Sequence, residues 1–348
     1  MENREFAIIG ENIHTTRVFL RKGKRIGPNE KGEESVLYKN VHGDNSYLVI
    51  PDAFKNTQVY KEGRVKHFMI AVQNGISGTL SERKSGEEYI LAEIRRQERH
   101  GSTFLDLNVD EISYRIEIQK QAMEWLIQFH CSAAVSPPSI DSSSIEILQV
   151  GLDQYEKCGR PQGNPMINSA SLERIGALDF VNRYNAHVII TAAAVDGMPS
   201  NAQQRIDNAS EMIEHCLSKN IPLERIHADL LLFPISVDQE FGNHYLDAVR
   251  GMRDRFGEEI RVTGGLSNVS FGLPMRRLIN ETFISLAMEA GIDSGIINPI
   301  ENRIDRVRSL DTSSERVKIA KDMLLGNDEF CMQYISSYRE GILAAERF

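Results

Sequence analysis

The fold is decided by residues 104–141, which begin with the β-rich run FLDLNV (residues 104–109) and end with the run SID (residues 139–141). A longer stretch with helical periodicity, centred on MEWLIQ (residues 123–128), separates the two runs. Short apolar strands that alternate with amphipathic helices are typical of βα units around a parallel sheet. Residues 104–141 therefore predict one such unit and the strand of the next.

The same alternation continues on both sides of this stretch. Seven strands are predicted, at residues 104–109, 139–141, 166–169, 187–192, 227–232, 261–266 and 295–297. An eighth strand, at residues 6–10, opens the chain, and the helix that follows it is predicted at residues 86–100. Eight βα units favour a (β/α)8 TIM barrel over an open sheet.

Two additions to the barrel are expected within a single domain of residues 1–348. Residues 17–85 are rich in Lys, Gly, Asn and Tyr and are expected to be irregular. Because this insertion follows the first strand, it should emerge on the C-terminal face, where TIM barrels keep their active sites. It is either a solvated insertion with no role or a lid or partner-docking surface. Residues 313–348 are expected to form a helical extension that is interrupted at residues 326–328.

Composition excludes several classes of protein. The 348 residues include 40 Lys+Arg and 49 Asp+Glu, which gives a net charge of −9 and argues against nucleic-acid or anionic-membrane binding. The four cysteines form no C-x-x-C pair, so neither a zinc knuckle nor a disulfide framework is predicted. With no signal-like N-terminus and no apolar run of about 18 residues, the expected location is the cytoplasm.

Polar residues at the predicted strand ends are the candidates for chemistry, since a TIM barrel places its active site there. They are Asn12, His14, Asp106, Asn108, Asp141, Asn168, Asp229, Ser267 and Asn268. A metal hydrolase needs several histidines at such positions and a Schiff-base aldolase needs a lysine, but only His14 is present. No metal site is therefore predicted, and no strand is followed by a dinucleotide or P-loop motif. Amides and carboxylates suit a flat heterocycle with an amidine-like edge.

For three of these residues, a purely structural role is an alternative to ligand binding. Asp141 could cap the next helix, but Ser143 and Glu146 fit a capping box by themselves and leave Asp141 available for a pocket. Asn168 could be a turn amide that bonds local backbone. Asp229 lies in an apolar run, so either a ligand or an internal ion pair must satisfy it.

Two arginines follow a predicted helix start. Pro274 is read as the first-turn proline of a helix that runs to residue 290, which places Arg276 and Arg277 in the first turn. Cations there oppose the helix dipole, so another interaction should account for them. Arg277 can extend into solvent, whereas Arg276 is expected to reach over the barrel mouth.

Read together, these segments resemble the pterin-binding methyltransferases, namely the methyltetrahydrofolate:corrinoid methyltransferases and the folate domain of cobalamin-dependent methionine synthase. The resemblance is carried, in order, by IIGEN (8–12), LDLNV (105–109), IDSS (140–143), MINS (166–169), ADLLLFP (228–234), GLSNVS (265–270), Arg276, LIN (278–280) and TF (282–283). These motifs cover most of residues 86–310, and GLSNVS with the arginine and LIN is the most specific part.

The resemblance implies roles for individual residues. Asp141, Asn168 and Asp229 resemble the residues that hold the polar edge of the pterin. Asn268 resembles the amide beside N5, and Arg276 the arginine near the bound folate. Asp106 and Asn108 resemble residues of the family's second strand, which implies a supporting role for them. The chain departs from the family at Phe271 and Met275, where an amide is common, and in its long insertion.

The implied reaction is methyl transfer between a corrinoid and N5 of tetrahydrofolate, with Asn268 and Asp141 as the catalytic residues. Because the chain has no D-x-H-x-x-G cobalamin motif, a partner corrinoid protein must carry the cobalamin. We expect tetrahydrofolate as the acceptor, in a demethylation or one-carbon pathway, and a homodimer. Dihydropteroate synthase is the alternative enzyme, but Ile296-Ile297-Asn298-Pro299 lacks its basic pair. A non-catalytic pterin-binding subunit is the alternative of another class.

Overall fold

The computed structural model describes residues 5–195 and 197–344. Its strands are β1 (Ala7–His14), β2 (Phe19–Leu20), β3 (Ile26–Pro28), β4 (Glu34–Lys39), β5 (Asn45–Val49), β6 (Arg64–Val65), β7 (Phe104–Asn108), β8 (Pro138–Asp141), β9 (Met166–Ala170), β10 (His187–Thr191), β11 (Ile226–Asp229), β12 (Arg261–Thr263) and β13 (Ser294–Ile297). Its α-helices are α1 (Asp52–Lys55), α2 (Gln58–Lys61), α3 (His67–Ser77), α4 (Leu80–Arg99), α5 (Ile116–Ala133), α6 (Ile145–Lys157), α7 (Leu178–Arg183), α8 (Ala202–Ser218), α9 (Phe241–Phe256), α10 (Arg276–Ala290), α11 (Ile304–Arg308), α12 (Glu315–Leu324) and α13 (Met332–Arg339).

Eight of the strands form one sheet in the order β12-β11-β10-β9-β8-β7-β1-β13. The neighbouring pairs β7–β8, β8–β9, β10–β11 and β11–β12 are parallel. A parallel bridge between Gly265 and Ile296 joins the segment after β12 to β13, and the Ile296 N–H donates to the Gly264 carbonyl at 2.9 Å. The (β/α)8 barrel predicted from the alternation is confirmed.

Three barrel strands end three or more residues from their predicted ends: β1, β11 and β12, the last of which ends at Thr263 instead of residue 266. β1 continues to His14 because the polar groups of Asn12 find partners on α4: its side chain donates to Glu93 at 2.7 Å and its N–H to Gln97 at 3.2 Å. β11 ends at Asp229, three residues early, because Leu231 adopts a left-handed backbone with φ of 57°.

The first barrel helix, α4, begins earlier than predicted and packs closely against α3. α4 starts at Leu80, where Thr79 and Glu82 form a capping box. Its partner α3 approaches so closely that a Cβ on Gly86 would lie 2.5 Å from the Ala71 carbonyl oxygen. Glycine is therefore required at position 86 for the α3–α4 hairpin to form.

The insertion of residues 17–85 is ordered, so the expectation of an irregular segment is wrong. β3, β4 and β5 form an antiparallel sheet, and β2 pairs with β6. Val36, Tyr38 and Leu48 from this small sheet are buried. Short strands of this kind carry little sequence signal, because their stability depends on packing more than on propensity. The role of the insertion stays a prediction.

The start of α10 corrects another expectation. The helix begins at Arg276, so Pro274 lies outside its first turn. Met275, at the N-cap, is left-handed with φ of 54° and makes no capping hydrogen bond. The C-terminal helices α12 and α13 lie on either side of the predicted interruption, while residues 345–348 of the predicted extension lie outside the described residues.

The chain divides into two compact units, one formed mainly by residues 10–168 and the other mainly by residues 187–344. Each unit is described by itself below. Across the described ranges, no helix has the length and apolar character needed to cross a membrane.

Candidate functional site

The first unit gathers five polar residues at the carboxyl ends of neighbouring strands. Strand register places Asn108 opposite Asp141 and Asp141 opposite Asn168. Asp106 lies two residues before Asn108 on β7, and His14 ends β1. We call His14, Asp106, Asn108, Asp141 and Asn168 the N-terminal cluster. The carboxyl end of a barrel sheet is the usual position of an active site.

Asp106 is the buried centre of this cluster. Its Oδ2 atom lies 2.9 Å from His14 Nε2, and its Oδ1 accepts a hydrogen bond from Asn168 Nδ2 at 3.2 Å. Its side chain is 1% exposed. Both oxygens of Asp106 thus have partners within the protein, which supports a holding role for this residue. The same bond orients Asn168. Because its Nδ2 donates to Asp106, its Oδ1 is left to accept a hydrogen bond from a ligand.

Asp141 is held on one side and accessible on the other. Its Oδ2 accepts from Asn108 Nδ2 at 3.0 Å and lies 3.8 Å from His14 Nε2. Its side chain is 23% exposed, and in the described residues no hydrogen bond reaches its Oδ1. Asp141 therefore presents a carboxylate oxygen that a ligand can bind.

The reason given in the sequence analysis for the availability of Asp141 is wrong. Ser144 is the N-cap of α6 and makes no side-chain capping bond, so no capping box forms there. Ser143 instead donates to Asp110 through its N–H at 2.8 Å and its hydroxyl at 2.9 Å. Asp110 takes up the local donors, and Asp141 is available for that reason.

The charges in the N-terminal cluster affect one another. Burial, followed by the charge of Asp106, raises the pKa of Asp141 above its usual range, and His14 and the Asn108 amide only partly offset this rise. Burial lowers the pKa of His14, but the hydrogen bond and charge of Asp106 and the charge of Asp141 outweigh it, so the net shift is upward.

The same side chains have the donor types of a metal site. His14, Asp106 and Asp141 each offer one donor atom, and these atoms lie within 4.8 Å of one another. In this structure His14 Nε2 forms a hydrogen-bonded ion pair with Asp106 and lies 3.8 Å from Asp141 Oδ2, and Asn108 also donates to that Asp141 oxygen.

The second unit contributes Asp229, at the end of β11. Its Oδ1 accepts the N–H of Leu231 at 2.8 Å, and no other hydrogen bond to this carboxylate occurs in residues 5–195 and 197–344. The residue is 9% exposed, and burial raises its pKa to about 6 despite the Leu231 bond. The structural ion pair considered for Asp229 is absent from the described residues.

Arg205, on α8, supports the peptide that holds Asp229 and was missed in the sequence analysis. Its side chain is fully buried and donates to the Leu231 carbonyl at 3.3 Å and to the Asn201 carbonyl at 2.9 Å. Burial lowers its pKa to about 10. A signal was available, because position 205 lies on the helix face that carries the buried residues Ala209, Met212, Ile213 and Cys216.

Asn268 lies in a 3-10 turn after β12, and its side chain is exposed. Within the described chain, its amide makes no hydrogen bond. A Cβ on Gly265 would lie 2.9 Å from Asn268 Nδ2, so the absence of a side chain at Gly265 leaves the space that the amide uses. The backbone thus positions Asn268 and leaves its donor available to a ligand.

Arg276 contacts the turn that carries Asn268, which accounts for a cation in the first turn of α10. Its Nε donates to Ser270 Oγ at 3.0 Å and one terminal nitrogen to the Ser267 carbonyl at 2.9 Å. Its guanidinium lies 4.6 Å from the centroid of the Phe271 ring. Ser267 therefore serves through its carbonyl. We call Asp229, Asn268 and Arg276 the C-terminal set.

The sequence of this chain matches the model of a known protein family. Residues 81–298, more than half of the chain, match the model of the pterin binding enzyme family. The chain belongs to the pterin-binding enzyme family. All the candidate residues discussed above except His14 and Asn12 lie within the matched range.

Two curated relatives with named activities resemble this pterin-binding chain. The methylcorrinoid:tetrahydrofolate methyltransferase of Eubacterium limosum is 28% identical over 260 residues, which cover 73% of this chain and 89% of that protein. The methionine synthase of Mycobacterium leprae is 27% identical over 287 residues. That match covers 77% of this chain but only 22% of the methionine synthase, so it concerns one part of a much longer protein.

Solved structures of pterin-binding enzymes resemble the chain in fold. A dihydropteroate synthase from Xanthomonas albilineans, solved with 4-aminobenzoic acid, gives a TM-score of 0.50 at 17% identity, covering 68% of this chain and 90% of that chain. A dihydropteroate synthase from Clostridium difficile, solved in the presence of pteroic acid, also gives 0.50 at 17% identity, covering 66% and 88%. At this identity the likeness concerns the barrel alone.

The geometry of each part suits a pterin, whose ring edge carries several N–H donors. Asp141 and Asn168 present oxygen acceptors from adjacent strands of one unit. Within the other unit, Asp229 presents a carboxylate oxygen and Asn268 presents an amide that can donate. Carboxylates and amides are the groups that bind such an edge most specifically, because their hydrogen bonds are directional and, for carboxylates, charge-assisted.

Proposed function

We propose that this chain is a methyltransferase that moves a methyl group between a corrinoid, carried by a partner protein, and N5 of tetrahydrofolate, with tetrahydrofolate as the acceptor. The observation that carries the proposal is the contrast between Asp106, whose oxygens are both bonded internally, and Asp141, which presents an accessible oxygen beside it. The methyltransferase relative supports this reading, since the match covers 89% of its length.

The proposed pterin site uses acceptors for the N–H groups of the ring. Asp141, Asn168 and Asp229 accept from the amidine-like edge, while Asp106 and Asn108 hold Asp141 and Asn168 in position. A carboxylate that is desolvated and has a raised pKa gains most from a ligand that supplies N–H donors. This matches Asp229, whose second oxygen accepts no hydrogen bond from the described residues.

The proposed reaction is an in-line displacement at the methyl carbon. The N5 lone pair forms the new C–N bond, the methyl–cobalt bond breaks, and its electron pair remains on the corrinoid as cob(I)alamin. The hydrogen of N5 leaves as a proton to water. In the reverse direction, N5 must gain a proton or a strong hydrogen bond as it departs, so stabilisation has to grow in the transition state.

Asn268 is the proposed donor to N5, with a proton supplied through water in a network that includes Asp141. Its amide is exposed and makes no hydrogen bond within the described residues, and the turn around it is fixed by Arg276. A donor that is already in place needs no reorganisation when charge develops, which is the basis of electrostatic catalysis. Arg276 therefore acts near the folate through the turn that carries Asn268.

The setting of the reaction is also a proposal. A cytoplasmic homodimer that takes the methyl group from a corrinoid protein fits a demethylation or one-carbon pathway. One active site catalyses both directions, so reactant concentrations set the direction of flow.

The test is the absorbance change on anaerobic mixing of the protein with methylcobalamin and tetrahydrofolate, and with cob(I)alamin and methyltetrahydrofolate. We expect interconversion of methylcobalamin and cob(I)alamin, and a loss of about a hundredfold in rate for Asn268→Ala. Folate affinity of this variant should change much less. A variant that transfers methyl normally and loses only folate affinity would show that Asn268 is not the N5 donor.

Absence of turnover has two separable meanings. If tetrahydrofolate binds but free cobalamin does not react, the assay is repeated with a corrinoid protein isolated by its binding to this chain. Turnover in that mixture supports the proposal. Binding of both partners with no methyl transfer in either direction would instead identify a non-catalytic pterin-binding subunit.

A further inference from the structure

We propose that His14 is positively charged in the working protein and acts as a positioning residue, joining Asp106 and Asp141 so that Asp141 meets the pterin edge as a carboxylate. The inference rests on the proposed function for the identity of the ligand. It assigns a role to a residue outside the matched family range, residues 81–298.

The geometry places one basic side chain between two acidic ones. His14 Nε2 lies 2.9 Å from Asp106 Oδ2 and 3.8 Å from Asp141 Oδ2. All three side chains lie largely out of solvent, with His14 15% exposed. One ring nitrogen therefore faces a carboxylate oxygen of both residues, and a proton on that nitrogen is attracted to each.

The alternative without a charged histidine is costly. The donor oxygens of Asp106 and Asp141 lie within 4.8 Å of each other. Two negative charges at that distance repel each other by roughly 3 to 4 kcal/mol at an effective dielectric constant of about 20. Asp106 is almost fully buried and cannot be screened by water. Without a cation, one of the pair is expected to keep its proton at neutral pH, and the more accessible Asp141 would then lose half of its capacity to accept N–H donors.

The charged groups that face His14 are few. Asp106 and Asp141 are the anions, and Arg17, which pairs with Glu11, is the cation. Asp110 acts on Asp141 from the segment after β7 and raises the pKa of Asp141 slightly further. The two nearest anions outweigh Arg17 and burial, so the pKa of His14 is raised, in the direction that the charged form requires.

The first experiment needs no ligand. In protein labelled with ¹³C-histidine, NMR titration follows each imidazole, and the His14 signal is the one missing from His14→Gln. His42, exposed in the turn between β4 and β5, is identified in the same way with His42→Gln and serves as the reference. We expect His14 to titrate above about pH 6.5, the usual pKa of a histidine side chain. Titration at that pH or lower would overturn the proposal whether or not folate binds.

The second experiment measures anaerobic binding of tetrahydrofolate by calorimetry from pH 5.5 to 9. In wild type and His42→Gln, affinity should rise with pH as Asp141 ionises. In His14→Gln the midpoint of this rise should move up by about one pH unit, with binding up to about tenfold weaker on the acid side of both midpoints and convergence with wild type near pH 9. A shift of zero, or an equal loss at every pH, would overturn the charge role.

A rescue distinguishes charge from packing. Asp106→Asn in the His14→Gln background removes the repulsion, so the midpoint should return toward the wild-type value. Failure of this rescue contradicts the proposal. A stoichiometric metal in the purified protein, whose removal by a chelator abolishes tetrahydrofolate binding, would also overturn it and make the three side chains metal ligands. Absence of tetrahydrofolate binding in wild type defeats the proposed function, whereas the NMR titration judges His14 separately.

Discussion

The N-terminal cluster and the C-terminal set hold their carboxylates by different means. Asp141 lies among side chains, with Asn108 and His14 as neighbours and Asp106 as a second charge. Asp229 lies against backbone, held by the Leu231 N–H and with no ion pair in the described residues. Burial raises the pKa of both carboxyl groups, but the pKa of Asp141 also depends on neighbouring charges, whereas the rise in the pKa of Asp229 is offset in part by the backbone N–H of Leu231.

This difference indicates which kinds of substitution should affect each group of residues. Changes to titrating side chains should alter the N-terminal cluster, as the His14 experiments above are designed to show. Changes to backbone support should alter the C-terminal set. Three substitutions in the second unit test whether its groups depend on backbone geometry as strongly as this contrast implies.

The largest effect is expected for Arg205→Ala. The substitution removes the buried guanidinium that donates to the carbonyls of Leu231 and Asn201 and leaves a cavity beneath them. We expect a loss of about 3 kcal/mol in the free energy of unfolding, measured by urea denaturation. Tetrahydrofolate affinity should also fall, because the left-handed Leu231 peptide that holds Asp229 loses its support.

Gln203→Ala is the matched control on the same helix. Gln203 is exposed and its side chain donates to Asp207 on the surface, so the expected change is below about 0.5 kcal/mol. An equal, small loss in both variants would mean that the Leu231 peptide is stable without Arg205, and the backbone-support argument would be wrong.

Much of the fold could be predicted from the sequence, because each barrel strand is a short apolar run bounded by polar residues. The polar residues of the N-terminal cluster were predicted for the same reason: Asp106 and Asn108 lie two apart at a strand end, where a barrel places side chains toward one edge. The small sheet of β3, β4 and β5 was missed, since its short strands lack a comparable apolar run.

What could not be predicted depends on backbone handedness and side-chain direction. Leu231 and Met275 have positive φ without being glycine, which a sequence pattern does not encode. Asn12 lies in the same strand as His14, but its side chain donates to Glu93 on α4 and is not part of the N-terminal cluster. Arg205 donates to the Leu231 carbonyl, which is 26 residues away in sequence, so its support of the Leu231 peptide is a result of tertiary packing.

The second substitution, Asp229→Asn, is expected to raise the stability of the fold and to lower the affinity for tetrahydrofolate. Burial raises the pKa of Asp229 to about 6, above its unfolded value of about 4. Between these values the folded chain retains a proton that the unfolded chain has lost, so this group makes stability fall as pH rises from about 4 to about 6. Above that range the buried charge costs the fold about 2 to 3 kcal/mol.

Asparagine keeps the acceptor for the Leu231 N–H but carries no charge. We expect Asp229→Asn to be about 2 to 3 kcal/mol more stable than wild type at pH 7.5 in urea denaturation, and the gain to shrink toward zero near pH 4. Its affinity for tetrahydrofolate should nevertheless be lower, because the charged acceptor is lost. A variant that is less stable at pH 7.5 would indicate that an interaction balances the Asp229 charge.

The smallest effect is expected for Gly265→Ala, which displaces a functional group without removing it. The backbone of Gly265, with φ of −72° and ψ of 77°, lies outside the left-handed region, so the added methyl causes no strain of that kind. The new Cβ would lie 2.9 Å from Asn268 Nδ2, and the amide must move away. We expect methyl transfer to slow about tenfold, with little change in the urea midpoint.

The double variant decides whether this loss acts through Asn268. If the methyl group added at position 265 matters only because it displaces the Asn268 amide, Gly265→Ala should cause no further loss in an Asn268→Ala background, and the two single effects will not add. Additive losses would mean that Gly265 serves the reaction independently, through the close approach of backbone to substrate. In that case the backbone of the C-terminal set contacts the folate itself, and the contrast with the N-terminal cluster becomes sharper.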